Sequence, residues 1–138
     1  MTVSTTSQIK QSLVAALRAN NTLKDSVSGF YEGFAAPNKP YPFVVYNMVY
    51  APYDFAWGSV ILRTAFDVYV FGENSVDANN VDALILQTLH NANISVSGQS
   101  TLICRRVGDL SSQDIDEEGK KVYQIGGTYE IWTDQPDA

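Results

Sequence analysis

In one segment of the 138-residue chain, Val60–Phe71, the residue types alternate as they do in an extended strand. Apolar side chains and one threonine recur at every second position, and more polar residues stand between them. This alternation is typical of an antiparallel strand with one buried face and one half-solvated face. The segment predicts a buried face of Leu62, Thr64, Phe66, Val68 and Val70, with Arg63, Asp67 and Tyr69 opposite.

Other segments predict further strands. Phe43–Tyr50 is apolar or aromatic on both faces, so we expect a strand that is central or covered on both sides. Gly126 and Gly127, inside the last predicted strand, indicate a bulge or a close approach of another backbone. The remaining strands are predicted at Phe30–Tyr31, Ile94–Val96, Thr101–Val107 and Val122–Thr133.

Two segments have the three- and four-residue apolar spacing of an amphipathic helix. The first follows Ser7 as N-cap and fades near Asn20–Asn21. The second follows Ser75 as N-cap, has Asp77 in its first turn and ends near Asn91–Asn93. Their predicted apolar stripes are Ile9, Leu13, Val14 and Leu17, and Val81, Leu84, Ile85 and Leu89.

The order of these elements predicts the fold class. After the first helix, Thr22 is expected to start one more short turn that buries Leu23 and Val27. Helix, strands, helix and strands in this order predict an α+β fold, with two helices packed on one face of a mostly antiparallel sheet. The length suits a single domain, with loose tails at residues 1–6 and 134–138. The expected core contains Leu13, Leu17, Val45, Phe66, Val68, Val70, Leu84, Ile85, Ile125 and Ile131.

The charge balance limits the possible partners. The net charge is -6, and the nine Lys and Arg residues form no cluster larger than the pairs Arg105–Arg106 and Lys120–Lys121. Because nucleic-acid binding through phosphates needs a basic surface, stable binding is not expected. An acidic surface still allows DNA to slide past, since like charges repel.

The sequence also indicates a compartment. Residues 1–6 lack the basic and apolar parts of a signal peptide, and no stretch approaches the roughly eighteen apolar residues of a transmembrane helix. The single cysteine, Cys104, permits no disulfide within the chain. We therefore expect a protein of the reducing cytoplasm that contacts no membrane and needs no cofactor.

Few residues could carry chemistry. His90 ends the second predicted helix, where its partial charge complements the helix dipole, and Cys104 has the setting of a small buried hydrophobe. The acidic run Asp114–Glu118 suggests calcium, but the EF-hand spacing fails and strands flank it, so a solvated hairpin tip is favoured. A small enzyme using Cys104 or His90, and a metal-binding module at the acidic run, stay as alternative hypotheses.

Aromatic residues crowd the connection Pro52–Gly58, which contains Tyr53, Asp54, Phe55 and Trp57. Exposed aromatic side chains on a loop are enriched in protein interfaces. The alternative is that this loop folds back and caps the sheet. The sequence favours neither interpretation.

A set of short motifs spans residues 8–133. The most specific is the string Pro40-Tyr41-Pro42-Phe43-Val44-Val45, which leads into the second strand. With the others, it resembles the tail terminator, or tail completion, proteins of tailed phages, the group that includes the terminating minor tail protein of lambda-like phages. The other motifs are Leu13–Leu17, Tyr31, Ala36-Pro37, Phe66–Phe71, Leu89-His90, Asp116–Gly119, Tyr123 and Gly127-Thr128-Tyr129.

The resemblance implies a structural protein of the virion tail and not an enzyme. Six copies would form a ring on the head-proximal end of the tail tube and stop its polymerisation. The other face of the ring would receive a head completion or connector protein, and DNA would pass through the lumen without specific binding. An alternative is another ring-forming head–tail connector, or a tail tube protein.

Under this interpretation, two connections are expected to contact the neighbouring subunit and the tube. They are the aromatic loop Pro52–Gly58 and the acidic hairpin Gly108–Lys121. The candidate interface residues are Tyr53, Asp54, Phe55, Trp57, Asp114, Asp116, Glu117, Glu118 and Lys120.

Overall fold

The computed structural model describes residues 5–34, 39–56, 59–96 and 100–135, which form three helices and six strands. The helices are α1 (Thr5–Ala19), α2 (Asn21–Ser26) and α3 (Ser75–Leu89). The strands are β1 (Phe30–Glu32), β2 (Phe43–Tyr50), β3 (Tyr53–Ala56), β4 (Ser59–Gly72), β5 (Ser100–Ile115) and β6 (Lys121–Gln135).

The strands form one sheet in the order β1-β2-β4-β6-β5, and β3 pairs with β4 beyond the end of β2. Within the described ranges, β1 and β2 pair in parallel and the other pairs are antiparallel. The predicted α+β class with a mostly antiparallel sheet is therefore confirmed.

The alternation in β4 is confirmed at each position. Its five predicted core residues are fully buried against the helices, on what we call the helix face of the sheet. Arg63, Asp67 and Tyr69 point to the opposite side, the open face, and are half-buried there. Of the ten expected core residues, eight are buried, and Leu84 and Ile125 are partly buried and pack against the core.

The helix boundaries differ from the expectation by one or two residues. The N-cap of α3 is Asn74, because its side chain accepts a hydrogen bond from the Asp77 N–H (2.8 Å). The N-cap of α2 is Asn20, which accepts from the Leu23 N–H (3.2 Å), so the turn expected from Thr22 is a short helix that begins at Asn21. Helix α1 already includes Thr5 and Thr6, so Ser7 lies inside it.

The segment predicted as a loop at Pro52–Gly58 contains strand β3. Its aromatic residues favour extended backbone, and β4 continues far enough to pair with all four residues. β2 was predicted to be central or covered on both sides, and it is central over Val44–Tyr46, where it lies between β1 and β4. Because β1 pairs with only these three residues, the second half of β2 is an edge, and its last three side chains are exposed.

The polar connection expected from Gly108 is also mostly strand. β5 continues to Ile115 because β6 offers it hydrogen-bonding partners along its whole length. Asp134 and Gln135, expected in a tail, pair with β4, whereas residues 136–138 lie outside the described ranges. In the expected strand Ile94–Val96, only Val96 forms an isolated bridge.

The close approach predicted at the glycine pair is confirmed. A Cβ at Gly126 would overlap the carbonyl oxygen of Val68 on β4, and one at Gly127 would overlap the guanidinium of Arg106 on β5. Beside this pair, the pairing is irregular on β5 between Arg106 and Gly108, and a second irregularity lies between Thr101 and Ile103.

Candidate functional site

The first candidate surface is the outer side of β2 and β3, residues 47–56, named here the β2–β3 edge. Both strands follow one side of β4, with a break at Ala51-Pro52 where the Pro52 carbonyl accepts from the Arg63 N–H (3.0 Å). Within the described ranges, no strand pairs with this outer side beyond Tyr46. Exposed apolar side chains mark it: Met48, Val49, Tyr50, Tyr53 and Phe55.

An unpaired edge with exposed apolar side chains is a template for association with another chain. Phe55 is 79% exposed and Tyr53 53%, so these two residues do not fold back onto the sheet. Asp54 lies 3.4 Å from the Arg63 guanidinium on β4. The fourth aromatic-loop candidate, Trp57, lies outside the described residues.

The second candidate surface is the turn between β5 and β6, where the acidic run lies. The Asp116 carboxylate accepts hydrogen bonds from the backbone N–H groups of Glu118 (3.0 Å) and Lys120 (2.9 Å). Gly119 has a positive φ of 79°, which suits glycine in this turn. The hydrogen bond from Lys120 does most to hold the pKa of Asp116 below its ordinary value, although desolvation opposes it. The run is therefore an ordered turn.

The other candidates on this turn point to solvent. Glu117 and Glu118 are exposed, and the Lys120 ammonium lies 3.7 Å from Glu118. Asp114, at the end of β5, accepts a hydrogen bond from the Ile115 N–H (2.8 Å). The candidate residues thus form one set on this turn and another on the β2–β3 edge.

The structure does not bring the two sets together. β3 pairs with the first residues of β4, whereas Tyr123, just after the turn, pairs with the last residue, Gly72. β4 has 14 residues. At about 3.3 Å per residue, the two surfaces are separated by roughly 40 Å along the sheet.

A polar cluster on the open face was not predicted. Glu130 is buried on β6 and accepts hydrogen bonds from the hydroxyl of Tyr50 (2.5 Å) and the indole N–H of Trp132 (3.0 Å). Arg63 lies 3.8 Å from it, and the guanidinium groups of Arg63 and Arg105 lie over the Trp132 ring. Burial raises the pKa of Glu130, but the hydrogen bonds and the two arginines outweigh it, so the net pKa is lowered.

A second unpredicted cluster lies on the helix face around Arg106. One of its terminal nitrogens lies 3.0 Å from both carboxylate oxygens of Asp82 on α3, and the other donates to the Gly126 carbonyl (2.5 Å). The guanidinium also lies over the buried Tyr129 ring, whose hydroxyl pKa is raised to about 12, chiefly by burial. The alternating pattern shows which residues share a face, but it does not show that Arg106 is nearly buried.

His90 and Cys104, the two residues of the enzyme hypothesis, have structural partners. His90 is the C-cap of α3, and its Nδ1 accepts a hydrogen bond from the Arg106 backbone N–H (3.2 Å). Cys104 is 1% exposed, and burial raises the pKa of its thiol to about 12, so the nucleophilic thiolate is scarce at neutral pH.

In the part of the chain that the structure describes, no three His, Cys, Asp or Glu side chains are arranged to hold a metal ion. No helix there is long and apolar enough to cross a membrane.

Comparison with known proteins gives a family and a fold. The sequence matches the model of the family described as "Tail completion protein gp17" over residues 11–134. A chain of the solved "Virion of native gene transfer agent (GTA) particle" has a similar fold, with a TM-score of 0.69 and 11% identity. That alignment covers 96% of this chain and 99% of the other, and at such identity it shows the fold alone. No curated protein sequence matches significantly.

Proposed function

We propose that this chain, which belongs to the tail completion protein gp17 family, forms a ring that caps the head-proximal end of a phage tail tube. The family match over residues 11–134 carries the proposal, and it identifies the chain as a structural protein of the virion tail rather than a member of a known enzyme class. The finer proposal is that six copies close the ring, that the ring ends tube growth, and that its other face receives a head completion protein.

The proposed mechanism is capping. One face of the ring would resemble a tube ring closely enough to bind the growing end of the tube. The other face would differ from a tube ring, so the next tube ring could not bind to it. Closed cyclic symmetry needs two different surfaces on each subunit, because neighbours then contact each other head to tail. The β2–β3 edge, with its exposed apolar side chains, is a candidate for one of these two surfaces.

We assign the contact with the neighbouring subunit to the β2–β3 edge. Its exposed apolar residues and its free backbone groups favour burial against another chain. The β5–β6 turn is then available for the tube or the head completion protein. Since the chain has a net charge of -6, DNA passing through the lumen would be repelled and would not adhere.

Interruption of the gene in the source phage or prophage tests the proposal. The expected result is tail tubes of abnormal length beside full heads without tails, seen by negative-stain electron microscopy. Normal virions would refute the capping role.

Electron microscopy of the purified protein tests the alternative of a tail tube protein. A tube protein polymerises into long filaments by itself, and a capping ring does not.

A further inference from the structure

A cleft of about 640 Å³ lies at the end of β4, between the segment Lys39–Phe43 and the β5–β6 turn. Phe43, Val45 and Phe71 line it from the open face of the sheet, and Phe34 stands exposed at its side. The volume is in the range of ordinary binding clefts. The capping proposal leaves the β5–β6 turn available to a partner, but it does not say what the cleft beside that turn would bind.

The aromatic floor of the cleft is fixed by contacts within the chain. The Phe43 ring stacks on Tyr41 (5.3 Å between centroids) and on Phe71 (5.2 Å). The Tyr41 hydroxyl donates to the Asp116 carboxylate (3.2 Å), and the Ser28 hydroxyl donates to the Pro40 carbonyl (2.7 Å). The floor is therefore preformed, so a bound segment would not have to order it.

The rim of the cleft has excess negative charge. Glu73, Asp116, Glu117 and Glu118 line it, against the two cations Lys39 and Lys120. Lys120 lies near Glu118. Among the described residues, neither Glu73 nor Glu117 has an ion-pair partner. Two carboxylates beside an apolar floor are thus available to a ligand.

We infer that this cleft binds an extended segment of a partner protein in which an aromatic side chain stands next to Lys or Arg. The aromatic ring would pack on the rings of Phe43 and Phe71, and the cation would pair with Glu73 or Glu117. Acidic segments are disfavoured by the same carboxylates, which gives the site its selectivity. This inference concerns binding by the folded chain, so it stands or fails independently of ring formation.

The test uses two fluorescein-labelled peptides of equal length, Ala-Lys-Pro-Trp-Arg-Ala and Ala-Glu-Pro-Trp-Glu-Ala, with binding followed by fluorescence anisotropy. We expect the basic peptide to bind at least about tenfold more tightly than the acidic one, and its affinity to fall as salt is raised. Glu117→Lys should weaken binding of the basic peptide by about three- to tenfold. Phe34→Ser should also weaken it, because Phe34 is 79% exposed and lines the cleft.

Asp25→Lys on α2 is the matched control, since Asp25 is also exposed and the net charge changes by the same amount. It should leave the affinity unchanged. Equal binding of the two peptides, or equal weakening by Asp25→Lys and Glu117→Lys, would overturn the inference. A third outcome would also overturn it: neither peptide binds, the protein associates with itself, and Glu117→Lys abolishes this self-association. The occupant of the cleft would then be a second copy of this chain.

Discussion

The guanidinium of Arg106 occupies the space that a side chain at position 127 would fill. A Cβ on Gly127 would lie 2.7 Å from the Arg106 Cζ and 2.7 Å from the Gly108 carbonyl oxygen. From this position Arg106 reaches Asp82 on α3 and the Gly126 carbonyl. The missing side chain on β6 therefore allows β5 and α3 to be joined by a nearly buried ion pair.

Gly127→Ala should destabilise the fold by roughly 1–3 kcal/mol, because the added methyl group displaces both a guanidinium and a backbone oxygen. Urea unfolding followed by circular dichroism measures this. Gly108→Ala is the control, since its added Cβ would meet nothing within 4 Å, and it should cost no more than about 0.5 kcal/mol. Equal effects of the two substitutions would show that Arg106 can move aside with no loss in the free energy of unfolding.

The Glu130 cluster predicts loss of stability in acid. The pKa of Glu130 is lower in the folded state than in the unfolded state, where it is about 4.3. The ionised carboxylate therefore stabilises the fold fully above the unfolded-state pKa, and this stabilisation is lost as the pH falls through the folded-state pKa. Glu130→Gln should therefore be less stable than the parent at neutral pH, by about 1–2 kcal/mol, and this difference should shrink below about pH 4. Unfolding midpoints measured from about pH 7 to about pH 3 give the comparison.

Glu117→Gln controls for the general effect of removing a carboxylate, since Glu117 is exposed on the turn. Its unfolding midpoint should follow that of the parent protein at each pH. A constant difference between Glu130→Gln and the parent across the whole range would contradict the assigned role of the Glu130 charge.

The elements predicted correctly are those in which burial imposes a period. In β4, one face packs under the helices, and the alternation of Leu62, Phe66 and Val70 with Arg63 and Tyr69 records this directly. The stripe of α3 does the same at helical spacing, with Val81, Ile85 and Leu89 buried. Burial requires apolar residues at fixed positions, so these elements could be read from the sequence.

The elements that were missed bury little and depend on a partner strand. The second half of β5 is polar and exposed, and it extends because β6 lies beside it. β3 has exposed aromatic residues and looks like a loop until β4 is seen to continue past the end of β2. The cluster around Arg106 could not be predicted, because it depends on how close α3, β5 and β6 lie to one another, and a local sequence pattern does not contain these distances.

Cys104 provides a probe of global unfolding. Because its thiol is buried and has a pKa raised to about 12, it should resist iodoacetamide in the native protein near neutral pH. Labelling in increasing urea should follow the same transition as circular dichroism. Rapid labelling without denaturant would show local opening of β5, and it would also revive the hypothesis of a reactive cysteine.

Phe55→Ser tests the proposed contact at the β2–β3 edge. Because Phe55 is 79% exposed, the substitution should change the free energy of unfolding by no more than about 0.5 kcal/mol. If this edge packs against the neighbouring subunit, the ring should be lost, because truncation of a buried interfacial aromatic residue typically costs about 2 kcal/mol or more. Light scattering after size-exclusion chromatography measures ring formation. Tail lengths measure capping when the variant is expressed in the phage whose own gene is interrupted.

Val76→Ser is the control, because Val76 is 66% exposed and lies on α3, at the other face of the sheet. It should preserve both ring formation and capping. A Phe55→Ser protein that still caps tubes of normal length would place the subunit contact elsewhere on the molecule.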